Sequence, residues 1–342
     1  MHTHGAPDHP HCVTEKEITD DMKNVSRDLP DLSIILVTDT YERIEYVVET
    51  WRRQTIADRV ELVLVTNAAD DLRSRTRDIA GFHNIQVVHT DSIESLSPAR
   101  GVGVRHATAP FVFIAETHAY PDPGLADTVV KTLSGTWSVV VPGFRNANPE
   151  TGLASAGFLS DYGAWLQGLP PGETERTPSY NAGFRRSVLL EFGDRLEHAI
   201  TFGDELFLGL RERGHKAYFD PSVAIHHVNL CRLGPWAHER FLAGVLIGGY
   251  RSARWSWPKR IAYAAGSPLI PFVILSRIQS GVREAARKER VPATTMLAIV
   301  CGAFVKAAGE FRGYLVGTGT SADRTMTRYE IRKLSVNAGD GS

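Results

Sequence analysis

A carboxylate and an imidazole stand two residues apart at the end of an apolar run. Residues 111–115 have the composition of a buried strand, Glu116 and His118 follow, and Pro121 then breaks the chain. Alternate residues of an extended segment point the same way, so these two side chains would share one side of a strand end. They could hold a divalent ion, because carboxylate and imidazole both bind Mn²⁺-type metals, or they could contact phosphate or hydroxyl groups directly. The structural alternative is a turn in which Glu116 caps the next segment.

Other acidic and imidazole side chains stand at predicted helix starts and strand ends. Asp204 and Glu205 open a predicted helix, where one carboxylate could face a cleft as a general base. An acidic pair that only stabilises the helix dipole is the commoner arrangement. His227 could complete a metal site or bind phosphate, although a structural histidine is again commoner. Asp39 follows the first predicted strand and could hydrogen-bond a nucleotide, and Arg100 lies just before the fourth and could bind phosphate.

Alternating strands and helices would position these groups. Short runs rich in β-branched residues predict strands, and apolar residues at helical spacing predict helices between them. The predicted strands are 33–37, 61–65, 85–88, 111–115, 139–141 and 216–219, and the predicted helices are 41–54, 71–80, 98–107 and 201–214. This alternation predicts βαβ units and a largely parallel sheet. Residues 143–178 have weak periodicity and many Gly, Pro and Asn residues, which predicts a long loop over a site.

The charge of the chain is unevenly distributed. Its 342 residues are 43% hydrophobic, which suits one large α/β domain with an appendage, and the net charge is only −1. Residues 251–290, however, hold nine Lys or Arg and two Glu, a local charge of +7 that would attract anionic lipid or nucleic acid. Residues 261–276 and 291–305 are uncharged and shorter than the roughly 20 residues of a spanning helix. They predict helices lying in a membrane interface, and a buried helical subdomain is the alternative.

Cysteine usage and the N-terminus favour a reducing compartment. Cys12, Cys231 and Cys301 are far apart and form no disulfide framework. Residues 1–30 lack the apolar core of a signal peptide and are predicted to be a flexible tail, with metal binding by its histidines as the less favoured alternative.

Taken in order, these segments resemble the family 2 glycosyltransferases of the GT-A fold, over about residues 31–230. Segment 98–103 resembles the family's A-R-N-x-G motif, and Glu116-Thr117-His118 resembles its Asp-x-Asp. Residues 181–186 resemble the acceptor-side N-x-x-F-R-R motif. The pair Asp204-Glu205 resembles the Glu-Asp of the catalytic helix in reversed order, and His227 resembles the family's late histidine.

The resemblance implies an α/β GT-A fold, a mostly parallel sheet with flanking helices. It also implies an inverting hexosyltransferase that moves a sugar from a UDP- or GDP-linked donor to a hydroxyl of a glycan or lipid-linked acceptor, with Mn²⁺ or Mg²⁺ as the cofactor. The implied site residues are Glu205 and then Asp204 as the base; Thr38, Asp39, Asn67, Arg100, Glu116 and His118 for the nucleotide-sugar; Asn181, Arg185 and Arg186 for the acceptor; and Glu116, His118 and His227 for the metal.

The predicted organisation is a tail (1–30), a GT-A domain (31–230), a helical basic and apolar membrane-interface region (231–320) and a flexible C-terminal tail (321–342). The predicted location is the cytoplasmic side of the cell membrane, peripheral or monotopic, in polysaccharide biosynthesis. An anionic membrane surface, and not nucleic acid, is the predicted partner of the basic stretch. The altered Glu-x-His motivates one alternative, a non-catalytic GT-A scaffold that binds nucleotide-sugar or glycan. A sugar-phosphate nucleotidyltransferase is disfavoured, because segment 38–42 lacks a basic Gly-rich loop.

Overall fold

The computed structural model describes residues 29–201, 203–288 and 291–339, so the predicted N-terminal tail lies outside it apart from its last two residues. Within these residues nine strands form a single sheet. The strands are β1 (Leu32–Val37), β2 (Val60–Thr66), β3 (Asn84–His89), β4 (Phe111–Ile114), β5 (Ala119–Pro121), β6 (Val139–Asn146), β7 (Gly172–Thr174), β8 (Ala182–Arg185) and β9 (Ala217–His227). Their order is β3-β2-β1-β4-β8-β6-β9-β5, and β7 pairs with β9.

Fourteen α-helices accompany this sheet in the described part of the chain. They are α1 (Glu45–Arg52), α2 (Ala69–Thr76), α3 (Leu96–His106), α4 (Leu125–Ser134), α5 (Gly152–Tyr162), α6 (Arg186–Leu190), α7 (Leu196–Thr201), α8 (Gly203–Glu212), α9 (Leu233–Ser252), α10 (Trp257–Gly266), α11 (Ile270–Lys288), α12 (Thr295–Val316), α13 (Thr320–Ile331) and α14 (Lys333–Ala338).

The first half of the sheet is the predicted parallel unit. Strands β1 to β4 run parallel, and Leu32 lies opposite both Val60 and Phe111. Every residue of β1 and β2 is buried, and most of these residues are apolar, as expected for parallel strands that are covered on both faces. In the second half, β8 is antiparallel to β4 and β6, while β6 and β9 are parallel to each other. The predicted α/β architecture with flanking helices is confirmed, and the sheet is mixed rather than mostly parallel.

The segment predicted as a long loop, 143–178, contains regular structure. Strand β6 continues to Asn146, α5 follows, and β7 adds a short strand. Helix α5 escaped prediction because most of its residues are buried, on every side of the helix, so its sequence has no polar face and no amphipathic period. Thr151 caps the first turn of α5 by accepting a hydrogen bond from the Ala154 amide at 3.1 Å.

The C-terminal helices pack on one another through glycine. Gly244 and Gly248 of α9 lie against the backbone of α12, near Lys306 and Glu310, so closely that a Cβ at either position would clash. Outside this pair, α10 and α11 leave large apolar side chains exposed. Trp257–Gln279 is the stretch of the described chain long and apolar enough to cross a membrane by length and composition, and only 17% of its most apolar window is buried.

The segment predicted as a flexible tail from residue 321 forms α13 and α14 up to Ala338. Ile331 and Val336 are buried, and Val336 belongs to the main core beside the sheet. These two apolar side chains are five residues apart across a helix break, so they produce no helical period that a sequence pattern could detect. The helices return the chain to the edge of the sheet where β1 and β4 end.

Candidate functional site

Two strand ends bring a carboxylate and two imidazoles together. Glu116 and His118 follow β4, and His227 is the last residue of β9. The short strand β5 pairs antiparallel with β9, and Ala119 lies opposite His227. His118, the residue before Ala119, therefore lies next to His227. The two Nε2 atoms of His118 and His227 are 3.1 Å apart, and Glu116 Oε2 lies 3.3 Å from His227 Nε2 and 3.8 Å from His118 Nε2. All three side chains are buried. We call them the Glu116 cluster.

Three other side chains hold the carboxylate. The Asn181 amide donates to Glu116 Oε2 at 2.6 Å, the Tyr162 hydroxyl lies 3.4 Å from the same oxygen, and Arg100 donates to Oε1 at 3.3 Å. Asn181 has φ = 54°, and it is the non-glycine residue of the described chain with a positive φ. This backbone conformation is energetically unfavourable for an L-residue. It is retained where a side chain must point in a particular direction, here at the residue just before β8.

The charges inside the cluster follow from this packing. Burial would raise the pKa of the Glu116 carboxyl, but the hydrogen bond from His227 and the charge of Arg100 oppose it, and that pKa lies well below its usual range. Burial, and then the Lys333 ammonium of α14, lower the pKa of His118 well below its usual value. The cluster therefore presents a carboxylate and a neutral His118 imidazole near pH 7, the forms in which both groups bind cations.

The outer nitrogens of both imidazoles have hydrogen-bond partners. The Asn229 amide nitrogen donates to Asn146 Oδ1, and Asn229 Oδ1 lies 3.0 Å from His227 Nδ1. The Thr117 hydroxyl donates to backbone carbonyls and leaves a lone pair for His118 Nδ1, 3.3 Å away. The two Nε2 atoms face each other and Glu116 Oε2, at 3.1 to 3.8 Å. This converging donor set fits one divalent cation, with outer hydrogen bonds of the kind that orient metal-bound histidines.

The predicted nucleotide-binding residues line the same edge of the sheet. Thr38 and Asp39 follow β1, Asn67 follows β2 with an exposed side chain, and Arg100 reaches Glu116 from α3. Asp39 accepts hydrogen bonds from Arg43 at 2.6 Å and, as described below, from the C-terminal segment. The Arg100 guanidinium also lies over the ring of Tyr180, 4.6 Å from its centroid.

Residues predicted for the acceptor are divided between two edges. Asn181 lies in the Glu116 cluster, where it binds the carboxylate. Arg185 and Arg186 are at the other end of β8, because Arg185 is opposite Phe111, the first residue of β4. Arg185 donates to the Trp137 carbonyl and Arg186 to the Val104 carbonyl, at 3.0 and 2.9 Å. The structure thus uses these two arginines to satisfy backbone carbonyls and does not bring them to the cluster.

The predicted base residues belong to α8. Glu205 is one-third exposed and pairs with His198 at 2.6 Å and Arg195 at 3.6 Å, both on the segment just before it. The side chain of Asp204 lies outside the described part of the structure. The described contacts of Glu205 are therefore local, and its role as base remains a prediction.

Three residues of the site had no sequence signal. Tyr162, in the segment predicted as loop, stacks on Phe144 and lies 4.6 Å from the His227 ring, centroid to centroid. Glu330 places Oε2 3.6 Å from His118 Nε2, and Lys333 pairs with Glu330 at 3.1 Å. The last two come from the segment predicted as a tail, so only the tertiary fold shows that they reach the cluster.

The chain is similar to known proteins in part of its sequence and in its structure. Residues 33–193 match the family model described as "Glycosyl transferase family 2". Among solved structures, the mannosyltransferase PcManGT from Pyrobaculum calidifontis in complex with GDP-Man and Mn²⁺ is 18% identical, with a TM-score of 0.48, over 92% of this chain and 88% of that one. S. aureus TarS 1-349 in complex with UDP is 12% identical, with a TM-score of 0.45, over 82% and 90%. No curated protein sequence matches the chain. Residues 33–193, a little under half of the chain, therefore form a region of the glycosyltransferase family 2 type.

Proposed function

We propose that this protein is an inverting glycosyltransferase that moves a hexosyl group from a UDP- or GDP-linked donor to a hydroxyl of a glycan or lipid-linked acceptor. One observation carries the proposal: at the carboxyl edge of the sheet, the buried Glu116, Arg100 and His118 of the family 2 region converge with His227, which follows that region in the chain. That edge is where ligands of α/β sheets bind. The direct test is release of UDP or GDP from a panel of sugar donors, with the anomeric configuration of the product read by NMR. Donor binding without release in any acceptor mixture would favour the non-catalytic scaffold.

The reaction assigns a separate task to each group. The donor diphosphate faces the Glu116 cluster and Arg100, and Asp39 hydrogen-bonds the nucleoside. Glu205, or Asp204 beside it, takes the proton of the acceptor hydroxyl, whose oxygen attacks the anomeric carbon as the bond to the diphosphate breaks. Attack from the face opposite the leaving diphosphate inverts the configuration. The Arg100 guanidinium, fixed by Glu116 and Tyr180, stabilises the negative charge that develops on the diphosphate.

Glu116, His118 and His227 are the residues that would hold a divalent cation. A cation there supplies positive charge to the leaving diphosphate. Two imidazoles and one carboxylate form a softer donor set than two aspartates, and Mg²⁺ prefers oxygen ligands. We therefore propose Mn²⁺, and not Mg²⁺, as the preferred ion.

His227→Ala is expected to weaken Mn²⁺ binding at least about 100-fold, because removing a direct ligand should cost no less than removing a residue that only hydrogen-bonds a ligand. The affinity is measured by titrating the full-length protein with Mn²⁺ and following the free ion by electron paramagnetic resonance. This measurement does not depend on an assay of sugar transfer. His226→Ala is the matched control, since the neighbouring imidazole contacts Asp122 at 3.0 Å and not the cluster. Equal Mn²⁺ affinity in the two variants would remove His227 from the metal site.

We also propose that α10, α11 and α12 lie on the cytoplasmic face of an anionic membrane, where a lipid-linked acceptor would be available. Large apolar side chains are exposed along them, among them Trp257, Ile261, Leu269, Phe272, Leu297 and Phe304. Lys259 and Arg277 lie on the same helices, and basic residues beside exposed apolar ones are typical of helices that lie in a membrane interface.

Phe272→Glu is expected to lower partition into vesicles with anionic headgroups at least about tenfold, since a buried aromatic side chain contributes about 2 kcal/mol or more. Co-sedimentation with phosphatidylglycerol-containing vesicles measures the effect. Leu208→Glu places the same charge at an equally exposed apolar residue of α8, away from the proposed surface, and should bind vesicles as the parent protein does. Parental binding by both variants would show that this face does not contact the membrane.

A further inference from the structure

The C-terminal helices α13 and α14 lie across the edge of the sheet that carries the Glu116 cluster. The Thr117 hydroxyl donates to the carbonyls of Glu330 and Ile331, at 3.2 and 3.3 Å. Arg43, which follows β1, donates to the Ser335 hydroxyl at 3.2 Å. These contacts join the last two helices to both strand ends of the proposed donor site.

The same helices contact side chains that a nucleotide-sugar donor would need to contact. Arg332 donates to Asp39 Oδ2 from Nε and Nη2, at 3.1 and 2.9 Å, and Glu330 approaches His118. Between Val37, Arg100 and Ile331 a cavity of about 10 Å³ is left, enough for one water molecule. Ligand sites of this kind measure roughly 300–1,000 Å³. A nucleotide-sugar therefore cannot reach the cluster while α13 and α14 are in this position.

The connection before α13 has the backbone of a hinge. Helix α12 ends at Val316, and Gly317 and Gly319 have φ values of 84° and 65° on either side of Thr318. Glycine reaches these angles without a Cβ clash and also allows the other half of the φ range, so two such residues can redirect the following helices.

The contacts that hold the two helices are partly weak ones. Arg324 pairs with Glu94 at 2.5 Å with both side chains more than half exposed, and the Arg332–Asp39 pair is partly exposed. Ion pairs of this exposure contribute little each, so their loss changes a conformational equilibrium only severalfold. Buried Ile331 and Val336 favour the closed arrangement.

We propose that α13 and α14 form an autoinhibitory lid over the donor site, which must swing away about Gly317–Gly319 before a nucleotide-sugar binds. This inference rests on the proposed function of the Glu116 cluster. Because only the open fraction of the protein binds, the measured donor Kd exceeds the intrinsic Kd by the reciprocal of that fraction. Any change that weakens the lid should therefore tighten donor binding.

Two full-length variants test the lid from separate ends. Arg332→Ala removes the contact to Asp39, and Arg324→Ala removes the contact to Glu94, which has no part in the proposed donor site. Each is expected to lower the Kd for a UDP- or GDP-sugar about two- to fivefold and to speed amide hydrogen exchange in 320–338. Arg328→Ala, at an exposed arginine of the same helix, should leave both measurements unchanged.

The outcomes separate the lid from the proposed function. Unchanged or weaker donor binding in Arg324→Ala and Arg332→Ala would overturn the lid, and weaker binding in both would instead make the helices part of the donor site. If no donor binds to the parent or to any variant while hydrogen exchange still rises, the proposed function fails and the inhibitory role fails with it.

Discussion

Glu116→Gln is expected to lower the free energy of unfolding by about 3 kcal/mol and kcat/KM by about 10²- to 10³-fold. Arg100 and Glu116 are both buried and form a direct ion pair, so the substitution leaves a buried guanidinium without its carboxylate. Removing one partner of a buried ion pair destabilises the folded state. The loss of activity has a separate cause, because the charge of Glu116 orients the groups that face the diphosphate. Urea denaturation and steady-state kinetics on the folded variant measure the two effects separately.

Two comparisons make this prediction specific. Glu173→Gln removes a carboxylate whose partner, Lys216, is also exposed, and it should change stability by no more than about 0.5 kcal/mol. The double variant Glu116→Gln/Arg100→Met removes both buried charges and should regain part of the stability without regaining activity. If Glu116→Gln has parental stability and parental activity, Glu116 holds neither the fold nor the site.

Glu205→Gln is expected to lower kcat by about 10²- to 10⁴-fold with little change in donor Kd, because a general base acts on the acceptor hydroxyl and not on donor binding. Asp204→Asn should have a smaller effect if Glu205 is the base. Rapid-quench measurement of a single turnover, combined with calorimetric donor affinity, distinguishes lost chemistry from lost binding.

The base assignment has a control on its own helix. Glu212→Gln changes an exposed acidic residue at the other end of α8 and should retain parental kcat. The local pairing of Glu205 with His198 makes loss of a structural contact the competing explanation, which a thermal melt of each variant checks. Full activity in both Glu205→Gln and Asp204→Asn would mean that α8 does not supply the base.

Local sequence patterns predicted the frame of the fold because they depend on burial. Strands β1, β2 and β4 are wholly or largely buried and therefore mostly apolar, and the spacing between the parallel strands leaves room only for crossovers. Helix α5 was missed for the same reason, since burial on all sides removes the polar face. Helices α13 and α14 were missed because their apolar contacts are few and separated by a break at Arg332.

The site was predictable where its residues form a short motif at a strand end. Glu116, His118 and His227 satisfy that condition, and the structure brings them together. Tyr162 and Asn181 enter the site through tertiary packing and a positive φ, which no spacing encodes. Arg185 and Arg186 were predicted to bind the acceptor because residues 181–186 resemble the N-x-x-F-R-R motif, and the length of β8 separates them from Asn181.

The most direct test of the account is a thermal-unfolding panel of UDP- and GDP-sugars, with and without Mn²⁺, on the parent protein and Glu116→Gln. A ligand that binds only the folded state stabilises it by about 2.7 kcal/mol at 100 times its Kd, which corresponds to roughly 4 °C for a chain of this size. We expect at least one nucleotide-sugar to raise the parent's melting temperature by that amount, more with Mn²⁺ than without, and to have little effect on Glu116→Gln. No shift with any donor, or the same shift in both proteins, would contradict a donor site at the Glu116 cluster.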